Sequence, residues 1–275
     1  GDRSDGGLDG VRRKFIYDGG RLRSQRGSGD LLITMGKKAI IVVGAGDATG
    51  GAIAQRFARE GYVACVARRN ADKLTPLVER IKAEGGEVEP FGTDARREEQ
   101  VQQLFKTVEN NIGPVEVCVF NAGGNVKFLL NDTTTRVYYK VWEMGCFAGF
   151  LTGREAALYM KPRGRGTILF TGATASMRGG AGFSAFAGAK FGLRALSQSM
   201  ARELGPQGVH VAHVVIDGAI DTVWIKEMFP ETYALKDQDG ILSPQHIAEM
   251  YWQLHCQRPS AWTQEVDLRP WIESH

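Results

Sequence analysis

The chain has 275 residues, 43% of them apolar, enough for one large α/β domain or two small ones. A net charge of +3 with no dense basic cluster argues against a nucleic-acid binder, and no apolar run is long enough for a membrane-spanning helix. Cys65, Cys118, Cys146 and Cys256 lie far apart with no metal-ligand spacing, so no metal is expected. Cys65 and Cys118 sit in apolar runs, which points to buried free thiols and a reducing, cytoplasmic compartment.

Residues 1–34 are rich in Gly, Arg and Asp and show no sustained periodicity. Asp2, Asp5, Asp9, Asp18 and Asp30 argue against a transit peptide, and no long apolar core suggests a secretory signal. Met35-Gly36-Lys37-Lys38 reads as a natural start. The expectation is a disordered leader or expression scar over 1–34, with Phe15-Ile16-Tyr17 as a stretch able to pack on a neighbour, and one domain over 35–275.

Ile40 to Val43 form a β-branched run suited to a strand buried on both faces. Gly44, Gly46, Gly50 and Gly51 follow, and from Ala52 the helical face of Ile53, Phe57 and Ala58 runs to Gly61. Strand, glycine turn and helix together form the context of a dinucleotide site. The glycines admit a pyrophosphate close to the backbone, and the helix N-terminus faces it with free N–H groups. A second strand, Tyr62 to Ala67, ends in Arg68-Arg69-Asn70, and Leu74, Leu77, Val78 and Ile81 recur at helical spacing. A third strand spans Glu87 to Phe91, and Val101, Leu104, Phe105 and Val108 mark a helix. A fourth, Val115 to Phe120, runs into Asn121-Ala122-Gly123-Gly124. A long helical segment is expected from Thr135 to Met160, then a strand over Thr167 to Thr171 and a glycine-rich loop over Gly172 to Gly182. A helix holding Phe186, Lys190, Leu193 and Leu204 precedes a strand from Val209 to Ile216. Asp217 to Gly240 reads as irregular. Ser243-Pro244 reads as an N-cap with a first-turn proline for a helix to Leu254, and Trp262 to Leu268 as a last strand. Alternation at this spacing implies a parallel sheet with helices on both faces.

These residues resemble the short-chain dehydrogenase/reductase family over nearly all of Lys37 to Leu268. Val43-Gly44-Ala45-Gly46-Asp47-Ala48-Thr49-Gly50 is similar to the family's glycine loop, with Ala48 at the middle glycine. Asn121-Ala122-Gly123 is similar to its Asn-Asn-Ala-Gly turn, and Asp94 falls at its adenine-contacting Asp. Asp217-Gly218 through Thr222 is similar to its Pro-Gly-x-x-x-Thr segment, whose Thr holds the nicotinamide carboxamide. The resemblance implies a single Rossmann-type, doubly wound domain with about seven parallel strands, a homodimer or homotetramer, and a small-molecule substrate. Gly44, Gly46, Thr49, Gly50, Arg68, Arg69, Asp94, Asn121, Ala122, Gly123, Lys190 and Thr222 are the expected cofactor-binding residues. Arg68 and Arg69 stand where an acidic residue would bind the ribose hydroxyls of NAD. A guanidinium there forks onto a 2′-phosphate, so NADP is expected over NAD.

Phe186-Ala187-Gly188-Ala189-Lys190 is similar to the family's Tyr-x-x-x-Lys motif, with Phe where the proton-bearing phenol belongs. The family's Ser and Asn positions hold Ala173 and Gly145, so Lys190 alone remains of the catalytic four. Thr174, Ser176 and Ser184 are substitute hydroxyls, although such groups in turns usually bond the local backbone. Lys190 itself becomes a general acid if desolvation lowers its pKa. In this the chain resembles an atypical subgroup of the family with an incomplete glycine loop, Phe for the Tyr and the Lys retained. Two readings follow: an NADP-dependent oxidoreductase acting on a carbonyl or alcohol with a non-standard proton donor, or a catalytically inactive NADP-binding sensor or oligomer partner.

Overall fold

The computed structural model describes residues 15–18, 21–24 and 36–273. Contacts divide the chain into residues 1–36 and 37–275. In the first unit β1 (Phe15–Asp18) and β2 (Arg21–Ser24) pair antiparallel, and the rest of the expected leader lies outside the described residues.

The second unit alternates strand and helix. Its elements are β3 (Ala39–Val43), α1 (Thr49–Arg59), β4 (Val63–Arg68), α2 (Thr75–Ala83), β5 (Glu87–Gly92), α3 (Glu98–Asn111), β6 (Val115–Phe120), α4 (Thr135–Trp142), α5 (Ala148–Met160), β7 (Gly166–Thr171), α6 (Ser184–Leu204), β8 (Val209–Ile216), α7 (Val223–Met228), α8 (Pro230–Tyr233), α9 (Pro244–Cys256) and β9 (Glu265–Leu268). The sheet has seven strands, all parallel, in the order β5-β4-β3-β6-β7-β8-β9. This is the doubly wound architecture expected from the sequence.

Alternation along each strand builds the two cores. Ile40 and Val42 face one way and pack, with Ala64, Val66 and Val119, under α1, α2 and α9 through Phe57, Leu77 and Tyr251. Ile41 and Val43 face the other way and pack, with Cys65, Cys118 and Phe170, under α3, α5 and α6 through Phe105, Leu151 and Leu193. Burial on both faces is why these strands read as unbroken apolar runs. β3 and β6 are neighbours, yet the chain leaves β3 toward β4 and leaves β6 toward β7. Their carboxyl ends therefore open a crevice, the usual ligand position of such sheets.

Several local expectations change. α1 starts at Thr49, three residues before the apolar periodicity begins. The segment from Thr135 to Met160 is helical throughout, but a π-helical turn at Glu143–Phe147 divides it. The stretch after Asp217 contains α7 and α8. Pro244 does open α9, but the Ser243 hydroxyl bonds Gln245 instead of capping the backbone. Among the described residues no helix is long and apolar enough to cross a membrane.

Candidate cofactor site and active site

The glycine loop leaves β3 at Gly44, where φ is +87°. A Cβ there would lie 2.8 Å from the backbone of Asn121 and Ala122. The loops after β3 and β6 thus touch, and the Asn121 N–H donates to the Val43 carbonyl at 2.8 Å, its side-chain amide to the Gly44 carbonyl at 3.2 Å. A Cβ at Gly50 would sit 2.6 Å from that same Gly44 carbonyl. Gly46 differs: the nearest atom to its missing Cβ is Arg68 Nη1, 3.9 Å away, so the backbone there borders open space. Ala48 keeps a negative φ of −109°.

At the mouth of this loop Thr49 opens α1. Its Oγ1 is buried and has no partner among the described residues, α1 has no side-chain cap, and its first turn holds no acidic residue. Orphaned donors at a helix start beside an open glycine backbone fit a pyrophosphate. A cavity of about 580 Å³ continues from Gly46 toward Arg68, Arg69, Lys73 and Arg96. Arg68 donates from Nη1 to the Lys73 carbonyl at 3.3 Å. Arg96 is committed: it forks onto Asp94 at 2.8 and 2.6 Å. Those bonds hold the Asp94 carboxyl below the usual range. Cations gathered beyond β4 stand where they could meet a phosphate, so the residues present fit a dinucleotide at its pyrophosphate and on its adenosine side.

A second cavity, of about 690 Å³, extends from the glycine loop to α6. Phe186 and Lys190 line it one helical turn apart, with Lys190 Nζ 5.9 Å from the centre of the Phe186 ring. Lys190 is buried and donates to the Thr171 carbonyl at 2.8 Å. A Cβ at Gly123 would come within 3.3 Å of its Cε and Nζ. Burial without a carboxylate partner lowers its pKa to about 8.

The substitute hydroxyls fare differently. Thr174 lines the cavity, but its Oγ1 donates to Asp217 Oδ1 at 2.6 Å. Ser176 is buried and its Oγ accepts from the N–H of Ala173 at 3.1 Å, a local backbone bond. Ser184 is the first residue of α6, and its Oγ is buried with no partner among the described residues. Neither serine is on the cavity wall. Thr222 caps α7 by accepting from the Ile225 N–H at 3.1 Å and lines neither cavity. Gly145, at the family's Asn position, lies against α6, where an added Cβ would be 3.1 Å from that of Ala189.

Reading the sequence passed over the pairing of Arg178 with Asp217. Asp217 has no exposed surface and holds Arg178 Nη1 at 3.1 Å and Nη2 at 3.3 Å, with Arg269 at 3.2 Å. Burial pushes its pKa up, but the bonds from Thr174 and Arg178 outweigh that and leave it below normal. A lone acid closing the apolar run of β8 was the available signal. Arg96 was also missed, because only the fold brings it beside Arg68, and so was Lys73, five residues further along the chain.

A family model described as short chain dehydrogenase matches residues 38–232. A solved short-chain dehydrogenase from Rhodopseudomonas palustris is 46% identical, with a TM-score of 0.74, covering 85% of this chain and 99% of that one. A metagenomic short-chain oxidoreductase solved with NADP is 25% identical, with a TM-score of 0.74, covering 86% and 99%. The 3-oxoacyl-[acyl-carrier-protein] reductase MabA of Mycobacterium avium is 32% identical over 185 residues, 67% of this chain and 68% of that protein. With its glycine loop, its crevice and these relatives, the chain belongs to the short-chain dehydrogenase/reductase family of oxidoreductases.

Proposed function

We propose that the protein is an NADP-dependent oxidoreductase of the atypical subgroup with Phe in place of Tyr, acting on a carbonyl or alcohol, in which Lys190 handles the proton. The observation that carries this is Lys190 itself: buried in the cavity wall, lacking a carboxylate partner, with a pKa near 8 beside a phenylalanine that bears no proton. Gly44, Gly46, Gly50, Thr49 and the α1 N-terminus would hold the pyrophosphate. Arg68 and Arg69 would take the 2′-phosphate, while Asp94, Ala122 and Gly123 line the adenosine side. A nicotinamide cofactor supplies a hydride when bound. Lys190 Nζ–H would give a proton to the substrate oxygen, and Phe183 and Phe186 line the wall beside it.

One observation favours the inactive sensor as a second reading: Lys190 already donates to the Thr171 carbonyl and the Thr174 hydroxyl to Asp217, so each has one partner within the protein. Titration of NADPH and NADH by fluorescence, followed by a carbonyl panel with wild type, Lys190→Ala and Phe186→Tyr, separates the two. Turnover that Lys190→Ala abolishes supports the enzyme. Tight NADPH binding without turnover supports the sensor, and tighter NADH binding would sink the role given to Arg68 and Arg69. The exposed Phe150, Leu158 and Phe191 on α5 and α6 support a homodimer or homotetramer, checked by light scattering. The buried thiols of Cys65 and Cys118 fit a cytoplasmic setting.

A further inference from the structure

The cavity beside Lys190 has two unlike halves. One is bounded by the glycine loop and Asn121. The other is walled by Phe183, Phe186 and Ile220 and carries Arg178 as well as Lys190, while Asp47 belongs to the glycine-loop side of the wall. Arg178 is 46% exposed, whereas its counter-ion Asp217 has no exposed surface and is absent from the wall. The pair is therefore oriented, with the carboxylate beneath and the guanidinium toward the cavity. Asp217 takes the two Nη atoms end-on, at 3.1 and 3.3 Å. Among the described residues the Arg178 Nε–H has no acceptor, so its side-on edge remains, two parallel donors that match a carboxylate. Asp217 does not serve Arg178 alone: it also accepts from Thr174 and from Arg269, which in turn pairs with Asp267. Thr174, having given its hydrogen to Asp217, offers the cavity lone pairs only.

We propose that Arg178 recognises a carboxylate on the substrate, so that the protein acts on oxo acids or hydroxy acids and not on neutral carbonyl compounds. The proposal rests on the oxidoreductase reading and names its substrate class. Asp217 sets the angle of the guanidinium, and the aromatic wall favours an apolar chain on the acid.

The test is calorimetric titration of nucleotide-free and NADPH-loaded protein with alkanoates from butyrate to octanoate, each against its primary amide. The wild type is expected to bind at least one acid about tenfold more tightly than its amide. Arg178→Met should erase that advantage and leave the amide unchanged, and Arg178→Lys, which keeps charge but not the fork, should keep part of it. If Arg178→Met does not fold, as judged by its melting curve, Arg178→Lys carries the test, and full retention of the preference there overturns the proposal. Equal binding of every acid and amide by the wild type, or a preference that survives Arg178→Met, overturns it as well. Tighter binding of butyl phosphate than of butyrate would overturn the carboxylate in favour of phosphate. Failure of NADPH to bind refutes the cofactor reading separately, because the acid–amide comparison is read without nucleotide too.

Discussion

At the scale of single residues, Lys190 trades stability for chemistry. Its pKa is about 8 in the fold and near 10.4 in an unfolded chain. The folded state thus carries the cost of a buried charge below pH 8, sheds it as pH rises through that value, and gains stability up to about pH 10. Cys65 and Cys118 act in the opposite sense, since burial raises their pKa values and the unfolded chain ionises first. The informative quantity is therefore wild type minus Lys190→Met. Lys190→Met should be the more stable below pH 8, by on the order of a few kcal/mol, with the gap closing toward pH 10 in urea melts. As a general acid Lys190 must be protonated, so kcat/KM for reduction should fall as pH rises through about 8. The glycines separate in the same way. Gly46→Ala meets no atom closer than Arg68 Nη1 at 3.9 Å and should leave the melting temperature unchanged while weakening NADPH binding about tenfold. Gly44→Ala, at φ +87° and against the Asn121 backbone, should destabilise the fold itself by about 2 kcal/mol or more.

At the scale of elements, α5 and α6 approach closely because glycines line α5. A Cβ at Gly149 would lie 2.5 Å from Leu193 Cδ1 and 3.2 Å from the Phe120 ring. Both neighbours are buried, so neither has room to retreat. Gly149→Ala is expected to cost about 1–3 kcal/mol. Adding Leu193→Ala should give less than the sum of the two single losses, a coupling measurable by a double-mutant cycle in urea; strict additivity would refute the clash. This packing also bears on the site, since Gly145 lies on the same helical rows and faces Ala189, one residue before Lys190. The π-helical turn at Glu143–Phe147 was hidden in the sequence because its residues keep a helical pattern; only the hydrogen-bond register distinguishes it.

At the scale of the whole molecule, the core clusters and both cavities draw, among the described residues, on those from 39 onward. We therefore propose that residues 35–275 fold and bind NADPH alone. A chain beginning at Met35 should melt within about 1 °C of the full chain, inside the roughly 2–4 °C that a loss of 1 kcal/mol produces at this size, and match it in fluorescence titration. A chain that fails to fold would refute this. The alternating plan was legible because buried parallel strands and amphipathic helices each leave a local period in the sequence. Gly44, Gly50, Asn121 and Lys190 were legible as a set because they belong to a motif series in fixed order.

What the sequence by itself determined is the sequence of strands and helices, the glycine loop, the basic pair after β4, and the absence of a phenol at Phe186. These follow from local periodicity and from residue chemistry, which need no partner. Only the tertiary structure decided which groups meet. It put Lys190 where no carboxylate offsets its charge, spent the Thr174 hydroxyl on Asp217, and turned Ser176 and Ser184 away from the cavity. It also set Arg178 over a buried acid thirty-nine residues away in sequence. Burial and hydrogen-bond partners across such separations depend on how the sheet winds, and no window along the chain contains them.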